Sequence, residues 1–162
     1  MRLSTVASVV IAPLLMLGCD ERNLDEVKLS PHAVVDAGDI AQRPRAYFGQ
    51  SVTVVAEVEA VHAPNAFTLD DDTELPGPDV LVIVPKTALT VTQNHQVTVH
   101  GTVRPLDVRA LNRDYSWFDI HAYDPELLKR FRERPVIIAD SIRDAQGGDL
   151  IVGAVRRPTV VN

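Results

Sequence analysis

A chain of 162 residues with 46% hydrophobic content suits one domain plus short appendages, and it is too apolar to be disordered throughout. A formal net charge of −6 argues against a nucleic-acid binder, because affinity for phosphate backbones rests largely on cationic counterion release. A single cysteine excludes an internal disulfide, so the fold depends on its own core.

In chain order, the first feature is a short apolar run. Arg2 precedes Val6 to Leu17, and the run stops abruptly at Gly18-Cys19. A positive start, an apolar centre and a small residue at the end make the three-part layout of an export signal. The run is short for a spanning helix, which needs roughly 20 residues, and Pro13 weakens a continuous helix further. Met16-Leu17-Gly18-Cys19 resembles the bacterial lipobox, with Met16 where leucine is usual. The resemblance implies that residues 1–18 are a lipoprotein signal peptide and that the Cys19 thiol accepts diacylglyceryl. The mature chain would then be held to a membrane by lipid, in the cell envelope, facing the periplasm or the exterior. Asp20 stands where enterobacteria place an inner-membrane retention signal, a rule that varies between bacterial groups, so the choice of membrane stays open.

Residues 19–37 are polar and mixed in charge and read as a tether. The folded domain is expected over 38–145, with a helical turn between Gly38 and Tyr47 and a turn at Phe48-Gly49-Gln50. Val52, Val54, Ala56, Val58 and Ala60 alternate with Thr53, Val55, Glu57 and Glu59, which predicts a strand with one apolar face. His62-Ala63-Pro64-Asn65 predicts a turn, followed by a short strand at Ala66-Phe67-Thr68-Leu69. Residues 70–79 read as a loop, and Val80 to Val84 as a buried strand ended by Pro85. Gln96 to Arg104 alternates again, with Gly101 marking a bulge or a barrel corner. Asp124-Pro125-Glu126 is a strong helix start, with Leu127, Leu128 and Phe131 on one face and Lys129, Arg130, Arg132 and Glu133 elsewhere. Val136 to about Ile142 forms the last strand, and 146–162 is a tail or an extra strand.

The fold class is therefore mainly β: a small five-stranded barrel with a helical insertion before the last strand. Tyr47 to Val54, followed by the alternating strand, resembles the opening of small bacterial OB-fold domains, and Val97 to Val103 resembles their return strand. The resemblance covers about residues 45–143 and implies a barrel that binds other molecules, since OB barrels serve many ligands.

Four groups of residues carry side chains capable of binding or catalysis. The aromatic connection of Tyr115, Trp117, Phe118 and Tyr123 beside Arg113 is either a ligand or partner face or a plug in one open end of the barrel. Asp70, Asp71 and Asp72, with Thr73 and Glu74, offer carboxylates to a divalent metal ion, against the simpler reading of a solvated connection. His32, His62, His95, His100 and His121 lack the spacing of a metal site and read as surface residues. Ser51, Ser116 and Ser141 have no nucleophile-elbow setting and no phosphate loop appears, so no catalytic residue and no cofactor is expected. The sequence thus predicts a non-enzymatic, membrane-anchored binding module for a protein or envelope component. A small-ligand or metal binder through residues 70–74 and a structural spacer are the alternatives.

Overall fold

Asp36 starts the first helix: its carboxylate accepts from the Gly38 N–H at 2.7 Å and caps α1 (Ala37–Gln42), which is followed by α2 (Pro44–Tyr47) with proline at its first turn. The computed structural model describes residues 33–70, 79–85 and 90–150. Cys19, the signal segment, Asp71, Asp72 and the tail beyond Leu150 lie outside the described residues. The domain begins earlier than the change of composition suggests. Val34 pairs with Thr53, the Val35 N–H donates to the Thr53 carbonyl at 2.8 Å, and Val35 and Ala37 are buried. The end of the expected tether is thus already part of the fold.

Gly49, with a φ of +81°, makes the turn into the first strand. Five strands follow: β1 (Ser51–Ala63), β2 (Ala66–Leu69), β3 (Val80–Ile83), β4 (Gln96–Pro105) and β5 (Pro135–Asp144). They close in the order β1-β2-β3-β5-β4, with β3 and β5 parallel and the other neighbours antiparallel. This is a closed five-stranded mixed barrel of OB type. β1 serves both halves of the barrel. Ser51 to Glu57 pair with β4, and from Val58 onward the strand pairs with β2. β1 also runs further than expected, because Ala63 pairs with Ala66 across a loop of only Pro64 and Asn65. Asn65 holds that loop in place: its carbonyl accepts from the Val84 N–H at 2.9 Å and its side-chain amide donates back to the Val84 carbonyl at 3.2 Å.

Between β4 and β5 lies the helical insertion, comprising α3 (Val108–Asp114), a single 3-10 turn (Ile120–Ala122) and α4 (Pro125–Arg130). Asp107, Asp119 and Asp124 each cap one of these elements through a side-chain oxygen. The base of the insertion is closed by backbone hydrogen bonds from Leu106 to Arg134 at 2.8 Å and from Glu133 to Leu106 at 3.2 Å.

Two hydrophobic cores result, and they explain two kinds of strand. The first lies inside the barrel: Val52, Val54, Ala56 and Val58 meet Phe67, Leu69, Val82, Val97, Val99, Ile137 and Ile142. Ile40 and Tyr47 join this core, so α1 and α2 close an end of the barrel. The second core lies outside the wall. Ala66, Leu81, Ile83, Val136 and Ile138, all on the outward side of β2, β3 and β5, are covered by Leu111, Phe118, Tyr123, Leu127, Leu128 and Phe131 of the insertion. β1 and β4 have a solvated outer side over most of their length and alternate; β3 is apolar throughout because both of its faces are buried.

Candidate interaction surface

OB barrels commonly take their ligands on the outer face of strands two and three, flanked by the loops between strands one and two and between strands four and five. In this chain that face is closed. Ala66, Thr68, Leu81 and Ile83 are fully buried, and the connection between strands four and five is the insertion that buries the wall around them. The closure is also held by polar ties. Asn65, in the loop between strands one and two, donates to the Tyr123 hydroxyl at 2.9 Å. Arg104 on β4 bonds the Asp114 carboxylate of α3 at 3.0 Å, and Arg130 on α4 pairs with Asp79 just before β3. Burial raises the Tyr123 hydroxyl above its ordinary pKa, against the opposing effect of the Asn65 hydrogen bond, so it stays protonated at neutral pH.

The aromatic residues singled out in the sequence form one continuous ladder. Tyr115 and Trp117 stand 5.2 Å apart and tilted, Trp117 meets Phe118 edge-on at 6.1 Å, and Phe118 stacks on Tyr123 at 5.3 Å. The two readings of this group divide within it. Phe118 and Tyr123 are buried in the outer core, whereas Tyr115 and Trp117 are only half-buried at its rim. Of the two alternatives, a plug in an open end of the barrel and a ligand face, neither describes the buried pair: Phe118 and Tyr123 pack in the outer core and seal the wall. The Arg104 guanidinium lies over the Tyr115 ring at 5.8 Å, and Arg113 bonds Asp114 at 3.1 Å while its side chain remains 73% exposed. What reaches solvent is a small platform of one tyrosine, one tryptophan and arginine, with the exposed Ile120 nearby in the chain. Trp117→Ala is expected to lower stability by no more than about 2 kcal/mol, as befits a rim side chain, and thermal denaturation checks this.

The other candidates lie apart where they are described, and His32, Thr73 and Glu74 lie outside the described residues. Asp70 directly follows β2 and donates its N–H to the Glu57 carbonyl, and Asp71 and Asp72 lie outside the described residues. Among the described residues no three histidine, cysteine or acidic side chains gather as a metal site. His100 lies between Ser51 and Thr53, and His95 beside Thr92, while His121 is exposed. A half-open groove of about 510 Å³ runs between β1, residues 90–97 and residues 144–150, over Val91 and Val97.

His62 is a separate case. Its Nε2 lies 3.2 Å from the hydroxyl of Thr68, a buried polar side chain under the insertion. Burial, and secondarily the Arg130 charge, hold its pKa below the usual histidine value, against the opposing pull of Glu59 and Asp79. The unfolded chain therefore binds the proton more readily than the folded one. This contribution to stability is complete above about pH 6.5 and is lost as pH falls below it toward the lower folded value. Unfolding midpoints measured between pH 8 and pH 5 should fall more steeply for the native chain than for His62→Gln.

No protein-family model matches the chain, and no curated protein does. Among solved structures, it is similar to the aspartyl-tRNA synthetase from Entamoeba histolytica at 14% identity, with a TM-score of 0.40, over 96% of this chain and 28% of that one. It is similar also to a structure assigned as an aspartyl-tRNA synthetase from Leishmania major Friedlin, at 11% identity and a TM-score of 0.38, over 91% of this chain and 24% of that one. The chain thus spans about a quarter of the length of either protein.

Proposed function

We propose that this chain is a lipid-anchored, non-enzymatic OB-like module that binds a protein or other component of the cell envelope through the rim of its insertion. The observation that carries the reading is the division of the aromatic ladder. The wall on which OB barrels commonly hold ligands is occupied by the chain's own Phe118 and Tyr123, while Tyr115 and Trp117 remain accessible on top. Tryptophan, tyrosine and arginine around a desolvated centre are the residue types that dominate protein-interface energetics. The anchor rests on the lipobox-like Met16-Leu17-Gly18-Cys19, which places the only thiol of the chain where acylation requires it. Several acyl chains hold a protein far more firmly than one, at about 0.8 kcal/mol per buried methylene.

Two measurements test this. Cys19→Ser is expected to move the protein from the membrane pellet to the soluble fraction; a variant that still pellets with the membranes refutes the anchor. A photo-activated side chain at position 117 should capture a discrete partner in the native envelope, whereas the same group at Glu57, exposed on β1, should not. Equal capture from both positions, or none from 117, refutes the surface.

A further inference from the structure

We infer that Arg104 holds the rim in its binding shape: acting through Asp114 and the Tyr115 ring, it fixes the turn that presents Trp117 to a partner. The inference rests on the surface proposed above. Tyr115 to Phe118 form one tight turn, closed by the Phe118 N–H on the Tyr115 carbonyl at 3.0 Å. Trp117 lies inside that turn and is only half-buried, so its orientation is set by the two ends. The Phe118 end is fixed by burial, with its ring stacked on Tyr123 at 5.3 Å. The Tyr115 end lacks such support. Its ring is half-buried, its N–H closes α3 on the Leu111 carbonyl at 2.9 Å, and Leu111 is the one buried residue of that helix.

The missing support comes from the barrel wall. Arg104 lies on β4 between the buried Val103 and the strand end, outside the barrel. Its guanidinium bonds Asp114, the last residue of α3, at 3.0 Å and lies over the Tyr115 ring at 5.8 Å. One side chain on a paired strand thus holds two successive residues at the end of the helix. A planar guanidinium can bond a carboxylate and cover a ring at once, which an ammonium does not match. Arg113 bonds the same carboxylate at 3.1 Å, but it belongs to α3 and ties the helix only to itself. The Tyr115 and Trp117 rings, 5.2 Å apart, are thereby kept together as one surface. An ion pair this exposed adds little to global stability. What it supplies is order in the rings before binding, which spares a partner the cost of ordering them.

The chain has one tryptophan, so quenching of its fluorescence by acrylamide reports on this turn alone. The full chain is measured in neutral detergent, as the native sequence and as Arg104→Gln, Asp114→Ala and Arg130→Gln. Arg130 is the control, since it too pairs with an aspartate and covers a ring, that of Phe131, but on α4. A quenching constant about twofold higher is expected in Arg104→Gln and in Asp114→Ala, and a native one in Arg130→Gln. Thermal midpoints of the first two should stay within a few degrees of native. In the envelope, capture from a photo-activated side chain at position 117 should fall about fivefold or more in Arg104→Gln and hold in Arg130→Gln. Unchanged quenching in Arg104→Gln or Asp114→Ala, an equal rise in Arg130→Gln, or undiminished capture in Arg104→Gln overturns the inference and leaves the surface standing. If position 117 captures nothing in the otherwise native chain, the surface and the role of Arg104 in binding fall together.

Discussion

Gly101→Val is expected to leave no cooperatively folded protein, read as loss of the thermal unfolding transition. Gly101 sits in β4 where the pairing with β5 slips: His100 faces Ser141 and Gly101 faces Ala139, leaving Asp140 unmatched. The bulge shifts the phase of β5, which is why Ala139 and Ile142, three apart, both reach the inner core. It also draws the two backbones together. A Cβ on Gly101 would fall against the Ile138 carbonyl oxygen, 2.8 Å from the Ala139 Cα and 2.8 Å from the Ile137 Cγ2. Two of these three atoms are backbone, in the strand that pairs with both β3 and β4, so neither can swing aside. Overpacking commonly costs about 1–3 kcal/mol where side chains can yield; here the ladder itself must part, and a small domain has little stability to spare. Gly101→Ala should fail in the same direction. A Gly101→Val protein with a near-native midpoint would show that the slip is not where the strands are drawn here.

The same residue shows what was legible in the sequence. A glycine inside an alternating strand points to a bulge because nothing else explains the missing side chain, and the structure puts one there. The alternation of β1 and β4 was equally readable, since one of their faces meets water and the other the barrel interior. The start of α4 was readable from Asp124, whose carboxylate accepts from the Glu126 N–H at 2.8 Å. What could not be read was the cover. A run such as Val80 to Val84 declares that both faces are buried but does not say against what. The answer depends on residues fifty positions later, as in the pairing of Asp79 with Arg130. α3 was missed for a related reason: Leu111 is its one buried residue, too few to set a helical period. The tie from Asn65 to Tyr123 joins a tight turn to a 3-10 turn and leaves no pattern in either. The aromatic group was legible as a group, but its division into buried and accessible members follows from how the insertion lies on the wall.

That division makes a second large effect predictable. Phe131→Ala is expected to lower global stability by about 3–5 kcal/mol, the usual range for emptying a buried phenylalanine site, with chemical denaturation as the measurement. Phe131 is fully buried where α4 ends, in the core formed by Leu106, Leu111, Leu127, Leu128 and Val136, with the Arg130 guanidinium over its ring at 5.4 Å. An insertion tied only at its base would loosen alone while the barrel stays intact. The burial of the wall speaks against this. Leu81, Ile83, Val136 and Ile138 face outward from the only parallel strand pair in the barrel, and an open insertion would expose all four at once. At roughly 25 cal/mol per Å² of apolar surface, that exposure costs more than such a domain can spare. The insertion and the barrel should therefore unfold in one transition, with a lowered midpoint in Phe131→Ala and an unchanged dependence on denaturant. A first step that melts the insertion alone would instead make it a detachable lid. The wall of β2, β3 and β5 would then return as the binding face, and the rim of Tyr115 and Trp117 would lose its standing as the surface that meets the partner.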